Sequence, residues 1–164
     1  MEEVLEQGEN YQDILKMSPW EFDQSPEGWR GVEKEKGILE AIDLIIQYIS
    51  INKDEINRDN GNIEKFLNFH VGQLYATEGN EKNIVEAISF FEDSYMKEKD
   101  CWNAYVRATI GFLKKDRKVI EESIKEINDS KSEDKRSGNI SIINNFLKVV
   151  NEDSDYNTAY NMKR

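Results

Sequence analysis

Apolar residues recur every three or four positions along most of the chain, which is the spacing of one face of an α-helix. The clearest run begins after Gly37, where isoleucines and leucines return at helical intervals as far as Ile49. No segment alternates apolar and polar residues over the length of a strand. Helical periodicity covers 38–49, 63–78, 82–95, 102–113, 117–127 and 140–150, with shorter stretches near 11–17, after residue 18 and near 156–160. We therefore expect an all-α protein of about seven or eight helices.

Proline and polar residues indicate where these helices begin and end. Both prolines, Pro19 and Pro26, lie near the N-terminus, so the chain beyond residue 26 contains no proline ring to break a helix. The run from Ser18 to Glu21 combines an N-cap serine, a first-position proline and an early acid, which is typical of a helix start. The stretch 128–138 is rich in Ser, Lys and Asp, and this composition predicts a mobile loop.

Two pairs of helices are related by an internal repeat. A shift of 36 positions carries Phe69 onto Tyr105 and the small residue Gly72 onto Ala108. The second helices keep the same register, which equates Ala87, Ile88 and Phe91 with Ser123, Ile124 and Ile127. The pattern predicts a helical hairpin used about three times, with a small residue on each helix that lets the two backbones approach. One hairpin cannot bury its apolar face alone, so we expect neighbouring hairpins to stack.

The segment from Val71 to Gly79, followed by Ala87, Ile88 and Phe91, resembles a tetratricopeptide repeat in its small-residue, tyrosine and turn positions. The resemblance implies stacked antiparallel hairpins in which the first helix of each pair lines a concave ligand-binding face. The acids Glu98 and Asp100 are expected beside the aromatic residues at the edge of this face, and aromatic side chains rimmed by charge are typical of binding hot spots. The partner-binding residues expected from this resemblance and its neighbouring acids are Phe69, Gln73, Glu98, Asp100, Trp102, Tyr105 and Thr109.

A chain of 164 residues fits one domain. Within it we expect an N-terminal helical extension at 1–26 and a region of helical-hairpin repeats at 27–137. Residues 138–164 are expected to form C-terminal helices that cap the stack. A domain of this length buries roughly 70% of the surface of its unfolded chain.

The formal net charge of −11 restricts the partners of the chain. Nucleic-acid binding depends on Lys and Arg neutralising phosphates, and an anionic membrane attracts the same residues, so neither partner is expected. Basic proteins are attracted instead, because opposite fields speed encounter. The single cysteine, the acidic N-terminus and the lack of an apolar run of about 20 residues predict a cytoplasmic location.

Motifs of catalysis and cofactor binding are missing from the sequence. It contains no glycine-rich phosphate loop and no zinc-ligand spacing, so no cofactor, metal site or catalytic residue is expected. His70 and Cys101 are the one candidate for a base and a nucleophile. The sequence offers neither a third group to orient the imidazole nor a glycine turn to hold an oxyanion.

These features favour a non-catalytic acidic module that binds another protein. The most concrete hypothesis is a bacterial immunity protein or antitoxin that blocks a basic toxin, a class that small size and acidity fit. The abundance of Asn, Lys and Ile adds an association with AT-rich bacterial genomes. The first alternative is a tetratricopeptide-like adaptor or secretion chaperone that binds a peptide. The second alternative is an enzyme with a dispersed carboxylate site.

Overall fold

The computed structural model describes residues 11–59 and 61–163, and every regular element within these ranges is helical. The predicted all-α class is therefore confirmed. The described residues form eleven α-helical segments and two short 3₁₀ segments, more than the seven or eight helices expected, because several are only one turn long. Contacts group the chain into two compact units, one ending at Glu55 and the other beginning at Ile56.

The first unit contains α1 (Gln12–Leu15), α2 (Pro19–Gln24), α3 (Trp29–Lys36) and α4 (Ile38–Ile51). Helix α2 begins at Pro19 with Ser18 as its N-cap, as predicted. The Ser18 hydroxyl accepts a hydrogen bond from the Glu21 N–H, and the Glu21 carboxylate accepts one from the Ser18 N–H. This reciprocal capping box satisfies two backbone donors that a helix start leaves unpaired.

Tyr48 of α4 lies at the centre of the first unit and is fully buried. Its ring stacks on Phe22 of α2, with centroids 3.7 Å apart, and its hydroxyl donates a hydrogen bond to the Met17 carbonyl at 2.8 Å. Burial, reinforced by the nearby acids Glu55 and Glu21, raises the pKa of the Tyr48 phenol to about 12. The phenol is therefore a neutral donor that ties the start of α2 to α4.

The second unit contains the longer helices, which follow the one-turn segment α5 (Lys53–Ile56) and the 3₁₀ segment Asn57–Asp59. They are α6 (Asn62–Glu78), α7 (Glu81–Asp93), α8 (Asp100–Leu113), α9 (Arg117–Asp129), α10 (Ile140–Val149) and α11 (Tyr156–Tyr160). The ends of these six helices lie within about two residues of the ends predicted from periodicity. Local chemistry explains this agreement, because Asn80 caps the start of α7 and Asp116 caps the start of α9.

Helices α6 and α7 form one hairpin, and α8 and α9 form another. Each pair is joined by a two- or three-residue connection and packs along its length, so the two helices run in opposite directions. Three pairs of positions that the 36-residue shift equates are buried in both hairpins, Gly72, Ala87 and Phe91 in the first, and Ala108, Ser123 and Ile127 in the second, whereas Ile88 and Ile124 are partly buried. Membership of the tetratricopeptide family stays a prediction.

The stretch between α9 and α10 differs from the mobile loop that its composition predicted. It contains a 3₁₀ segment, Glu133–Gly138, that packs against α8. Gly138 sits against the Ile127 side chain so closely that a Cβ atom would lie 2.9 Å from it. The polar residues of this stretch are therefore used in contacts with α8 and α9, which its composition alone does not indicate.

The C-terminal helices contact both hairpins, since α11 packs on α10 and on α6. Helix α10 lies against α8 and α9, and its Phe146 ring stacks on Phe112 with centroids 4.8 Å apart. Tyr156 of α11 continues this aromatic cluster at 5.8 Å from Phe146. The predicted three-part division of the chain, with a capping role for residues after 138, stays a prediction.

Candidate functional site

An aromatic edge forms where the start of α6 meets the start of α8. The Phe66 ring is 40% exposed and lies edge-on to the Trp102 indole, with centroids 5.0 Å apart and planes at 79°. Trp102 is itself nearly buried, and Met96 lies beside it in the wall of the same pocket. We call Phe66, Met96 and Trp102 the Phe66–Trp102 edge. It presents an exposed aromatic ring on a buried aromatic support.

Hydrogen bonds hold Trp102 and Met96 in place. The Trp102 indole N–H donates to the Ser94 carbonyl at 2.9 Å. Asn103 binds the backbone of Met96 on both sides, because its Oδ1 accepts from the Met96 N–H at 2.9 Å and its Nδ2 donates to the Met96 carbonyl at 2.8 Å. The segment between α7 and α8 is therefore fixed by side chains of α8, and the edge is a preformed surface.

Asp134 fixes the other side of the edge. Its Oδ2 accepts hydrogen bonds from the backbone N–H groups of Cys101 at 3.1 Å and Trp102 at 3.3 Å, so the carboxylate caps the first turn of α8. Burial by itself raises the pKa of Asp134, but hydrogen bonds from Ser132 and from these two amides outweigh it and hold the pKa below its ordinary value. The carboxylate is therefore ionised at neutral pH and faces the positive end of the helix dipole.

A pocket of about 370 Å³ opens beside this edge. It is lined by Asn62, Phe66, Met96, Lys99, Trp102, Asp134, Arg136 and Ser137. Three segments that are distant in sequence meet there: the start of α6, the connection into α8, and the 3₁₀ segment before α10. Its volume lies near the lower end of the range for ligand pockets.

Most of the aromatic residues predicted to face a partner are in the core. Phe69 packs against Trp102 and Tyr105, with ring centroids 4.9 and 5.2 Å away, and all three side chains are buried. Thr109 is fully buried and its hydroxyl donates to the Tyr105 carbonyl. In this structure the side chains of Phe69, Tyr105 and Thr109 therefore stabilise the second unit and present no surface to a partner.

Helix α11 covers the face that the tetratricopeptide resemblance assigned to a ligand. Gln73 Nε2 donates to the Tyr156 hydroxyl at 3.3 Å, while Gln73 Oε1 lies 3.0 Å from His70 Nδ1. Tyr156 and Tyr105 are both buried, and this burial raises the pKa of each phenol well above the ordinary value. The chain thus fills with its own C-terminal helix the space beside Gln73.

Glu98 and Asp100 are the predicted residues that do lie on the surface. Both side chains are exposed, and they flank Lys99 of the pocket wall. Within the described part of the chain neither forms an ion pair. On α9, by contrast, four acids are paired, through Arg117–Glu121, Lys118–Glu122, Lys125–Asp129 and Arg107–Glu126. The charges of Glu98 and Asp100 are therefore not balanced by an ion pair within the described residues.

The candidate nucleophile Cys101 is an interior residue. Its side chain is fully buried next to Ser130 and Asp134, and burial, with a smaller contribution from the Asp134 charge, raises the pKa of its thiol. A thiol that stays protonated is a poor nucleophile and metal ligand. These contacts give Cys101 a packing role at the start of α8.

Sequence reasoning missed Phe66, Met96, Lys99, Asp134 and Arg136 as members of the site. Phe66 lies three residues before Phe69 on the same helix, so periodicity assigns both to the core and does not tell which ring is exposed. Asp134 lies in a polar stretch, and its hydrogen-bond partners are 32 and 33 positions away. No local signal in the sequence points to that contact.

Two further observations concern the described residues only. No three or more His, Cys, Asp or Glu side chains within 11–59 and 61–163 are grouped so that they could hold a metal ion. None of the described helices has both the length and the apolar composition required to cross a membrane.

Comparison with protein-family models, with curated proteins and with solved structures found no match for this chain.

Proposed function

We propose that the chain is a non-catalytic protein-binding module that engages its partner at the Phe66–Trp102 edge. The observation that carries this proposal is the Phe66 ring, which is 40% exposed although it is held edge-on against a nearly buried tryptophan. A rigid aromatic side chain on a preformed support, next to a pocket, loses little conformational entropy when it binds. Such residues dominate the free energy of many protein interfaces.

The charge around the edge favours a partner whose own surface is basic. Glu98 and Asp100 are exposed beside the pocket, and the whole chain carries a net charge of −11. Opposite charges speed the encounter of two proteins, whereas an exposed apolar group slows their dissociation. The most concrete form of the proposal is an immunity protein or antitoxin of bacterial origin that blocks a basic toxin.

The second candidate is an adaptor or secretion chaperone that binds a peptide. The pocket beside the edge favours it, because about 370 Å³ suits a short segment better than a folded surface. The two candidates differ in the partner that they require. A toxin is a folded basic protein that harms the cell when it is produced alone, whereas an adaptor's partner binds through an extended segment.

The test is co-purification of the tagged chain from its source cell, followed by mass spectrometry and repeated with a Phe66→Ala variant. We expect a protein partner with wild type and its loss with Phe66→Ala. Val85→Ala is the matched control, since Val85 is also an exposed apolar residue but lies on α7 outside the pocket. Growth arrest by the partner alone, relieved by this chain, identifies the toxin form. Recovery of small metabolites without any protein partner contradicts the proposal and favours the enzyme hypothesis.

A further inference from the structure

The pocket beside the Phe66–Trp102 edge carries cations in a chain that is strongly acidic. Lys99 approaches it from the connection into α8, and Arg136 approaches it from the 3₁₀ segment before α10. Within the described residues, neither side chain forms an ion pair or a hydrogen bond with the protein. Two unpaired cations at one small pocket attract an anion from outside the chain.

The one acid in the pocket wall does not cancel this charge. Asp134 directs Oδ2 at the amides of Cys101 and Trp102, and its Oδ1 is buried from solvent, without a hydrogen-bond partner among the described residues. Hydrogen bonds from the chain itself hold its pKa low, and the positive end of the α8 dipole lies against its charge. A guest in the pocket therefore meets the side chains of Lys99 and Arg136 as the groups free to pair.

The rest of the wall is suited to an apolar group. Phe66, Met96 and Trp102 supply two rings and a thioether, which pack well against aromatic or large aliphatic side chains. Asn62 and Ser137 add neutral polar groups at the same pocket. A cationic guest is disfavoured, because it would have to lie beside Lys99 and Arg136.

We propose that this pocket binds a segment of the partner protein in which a carboxylate lies next to an aromatic or large aliphatic side chain. This inference rests on the proposed function, since it assigns the pocket to the partner. The exposed acids Glu98 and Asp100 attract the basic surface of the partner from a distance, and the pocket then selects one carboxylate within that surface. Long-range attraction thus depends on the net charge of the chain, and recognition at the pocket depends on contact with Lys99 and Arg136.

The test uses short peptides, so it does not depend on knowing the partner. One probe is a glycine- and serine-based pentapeptide that ends in phenylalanine with a free C-terminal carboxylate, and its reference is the same peptide as the C-terminal amide. A second probe carries an internal aspartate before an amidated phenylalanine, and its reference carries asparagine instead. Binding is measured by nuclear magnetic resonance, with the indole N–H signal of Trp102 as the reporter at the pocket.

We expect at least one acid peptide to bind about fivefold or more tightly than its neutral reference and to shift the Trp102 signal. The double variant Lys99→Ala, Arg136→Ala should bind the acid and the neutral peptides equally. Its melting temperature should stay unchanged, since both side chains are exposed. The matched control is Lys97→Ala with Lys131→Ala, which removes two exposed lysines from the same two connections but leaves the pocket wall intact. The control should bind the acid peptide as wild type does.

The probe that binds identifies the source of the carboxylate, a chain terminus or an aspartate side chain. Equal binding of acid and neutral peptides, or no binding of either acid peptide, overturns the pocket assignment. The pocket assignment is also overturned if inorganic phosphate competes as strongly as the acid peptides and the phenylalanine side chain adds nothing to peptide affinity. These outcomes are separate from the co-purification result, because a partner that is lost with Phe66→Ala can still dock without placing a carboxylate in the pocket.

Discussion

The Phe91 ring lies 2.8 Å from the position that a Cβ atom on Gly72 would occupy. Both residues are in the seam between α6 and α7, and Phe91 is fully buried. A Cβ atom at this distance would force the ring to move against the close-packed side chains of the interior. The absence of a side chain at residue 72 thus allows the first hairpin of the second unit to close.

Enlarging the seam should destabilise the second unit. We expect Gly72→Leu to lower the free energy of unfolding by roughly 1–3 kcal/mol, since overpacking a closed core displaces side chains and backbone. Ala108→Leu, at the equivalent position of the second hairpin, should act in the same direction because Ala108 is fully buried. Urea unfolding followed by circular dichroism measures both. The control is Ser89→Leu, which adds the same side chain on the exposed face of α7. If both seam variants unfold like that control, the repeat register is wrong.

Tyr48 should make the first unit sensitive to alkaline pH. Burial raises its pKa to about 12, whereas an unfolded tyrosine titrates near 10. The folded protein therefore holds the phenol proton more strongly, so the stabilisation is complete below about pH 10 and is lost as the pH rises through 12. Tyr48→Phe should cost about 1 kcal/mol at pH 7, because the Met17 carbonyl loses its donor.

Urea unfolding of wild type and Tyr48→Phe at pH 8 and at pH 11 distinguishes the loss of the hydrogen bond from the effect of pH. Wild type should lose stability between these values, and Tyr48→Phe should lose less. A residual loss is expected in the variant, since burial also raises the pKa of Tyr105 and Tyr156. A stability difference between wild type and variant that is the same at both pH values would show that Tyr48 does not titrate in this range.

Asp134 should stabilise α8 and lose this effect in acid. Its pKa lies below that of an unfolded aspartate, so the stabilisation is present above about pH 4 and disappears as the pH falls through the folded pKa. Asp134→Ala should cost about 1–2 kcal/mol at pH 7, the usual size of a lost N-cap. Asp134→Asn keeps an acceptor without the charge and should fall between wild type and alanine. Hydrogen exchange at the Cys101 and Trp102 amides gives a local measurement, and unchanged exchange in Asp134→Ala would contradict the capping role.

Charge at the rim of the edge should control how fast the partner binds. Reversing Glu98 and Asp100 to lysine should slow association, whereas Phe66→Ala should mainly speed dissociation. Wild-type association should weaken as salt rises, because charges beyond roughly 8 Å are screened at physiological ionic strength. Surface plasmon resonance with the co-purified partner resolves the two rates. The control reverses Glu121 and Glu122 on α9, which changes the net charge equally. Equal slowing by both double variants would assign the effect to net charge and not to this rim.

Local features of the fold follow from short stretches of sequence. Ser18 and Glu21 cap α2 with groups only three residues apart, and the left-handed backbone at Gly79 ends α6 within one turn. The seam position of Gly72 was also predicted, from the small residues that the 36-position shift brings into register. In each case the interacting groups are close in sequence or are repeated along it.

The candidate site was predictable only in part. Glu98, Asp100 and Trp102 were expected at the edge of a binding face, and the structure places the two acids on the surface and Trp102 in the pocket wall. Phe66 and Phe69 on α6 and Tyr105 on α8 all fall in the apolar pattern of their helices. The sequence therefore does not show that the Phe66 ring is exposed and the other two rings are buried. That distinction depends on which neighbouring segment covers each turn of α6 and α8.

The sequence by itself determined the helical class, the ends of the long helices and the acidic surface, because periodicity, capping and charge are properties of neighbouring residues. Only the tertiary structure decided that Tyr156 closes the face beside Gln73 and that Asp134 caps the helix of Trp102. These contacts join residues 83 and 32 positions apart. Many distant polar groups are chemically able to make such bonds, and the packing of the whole second unit selects the ones that form.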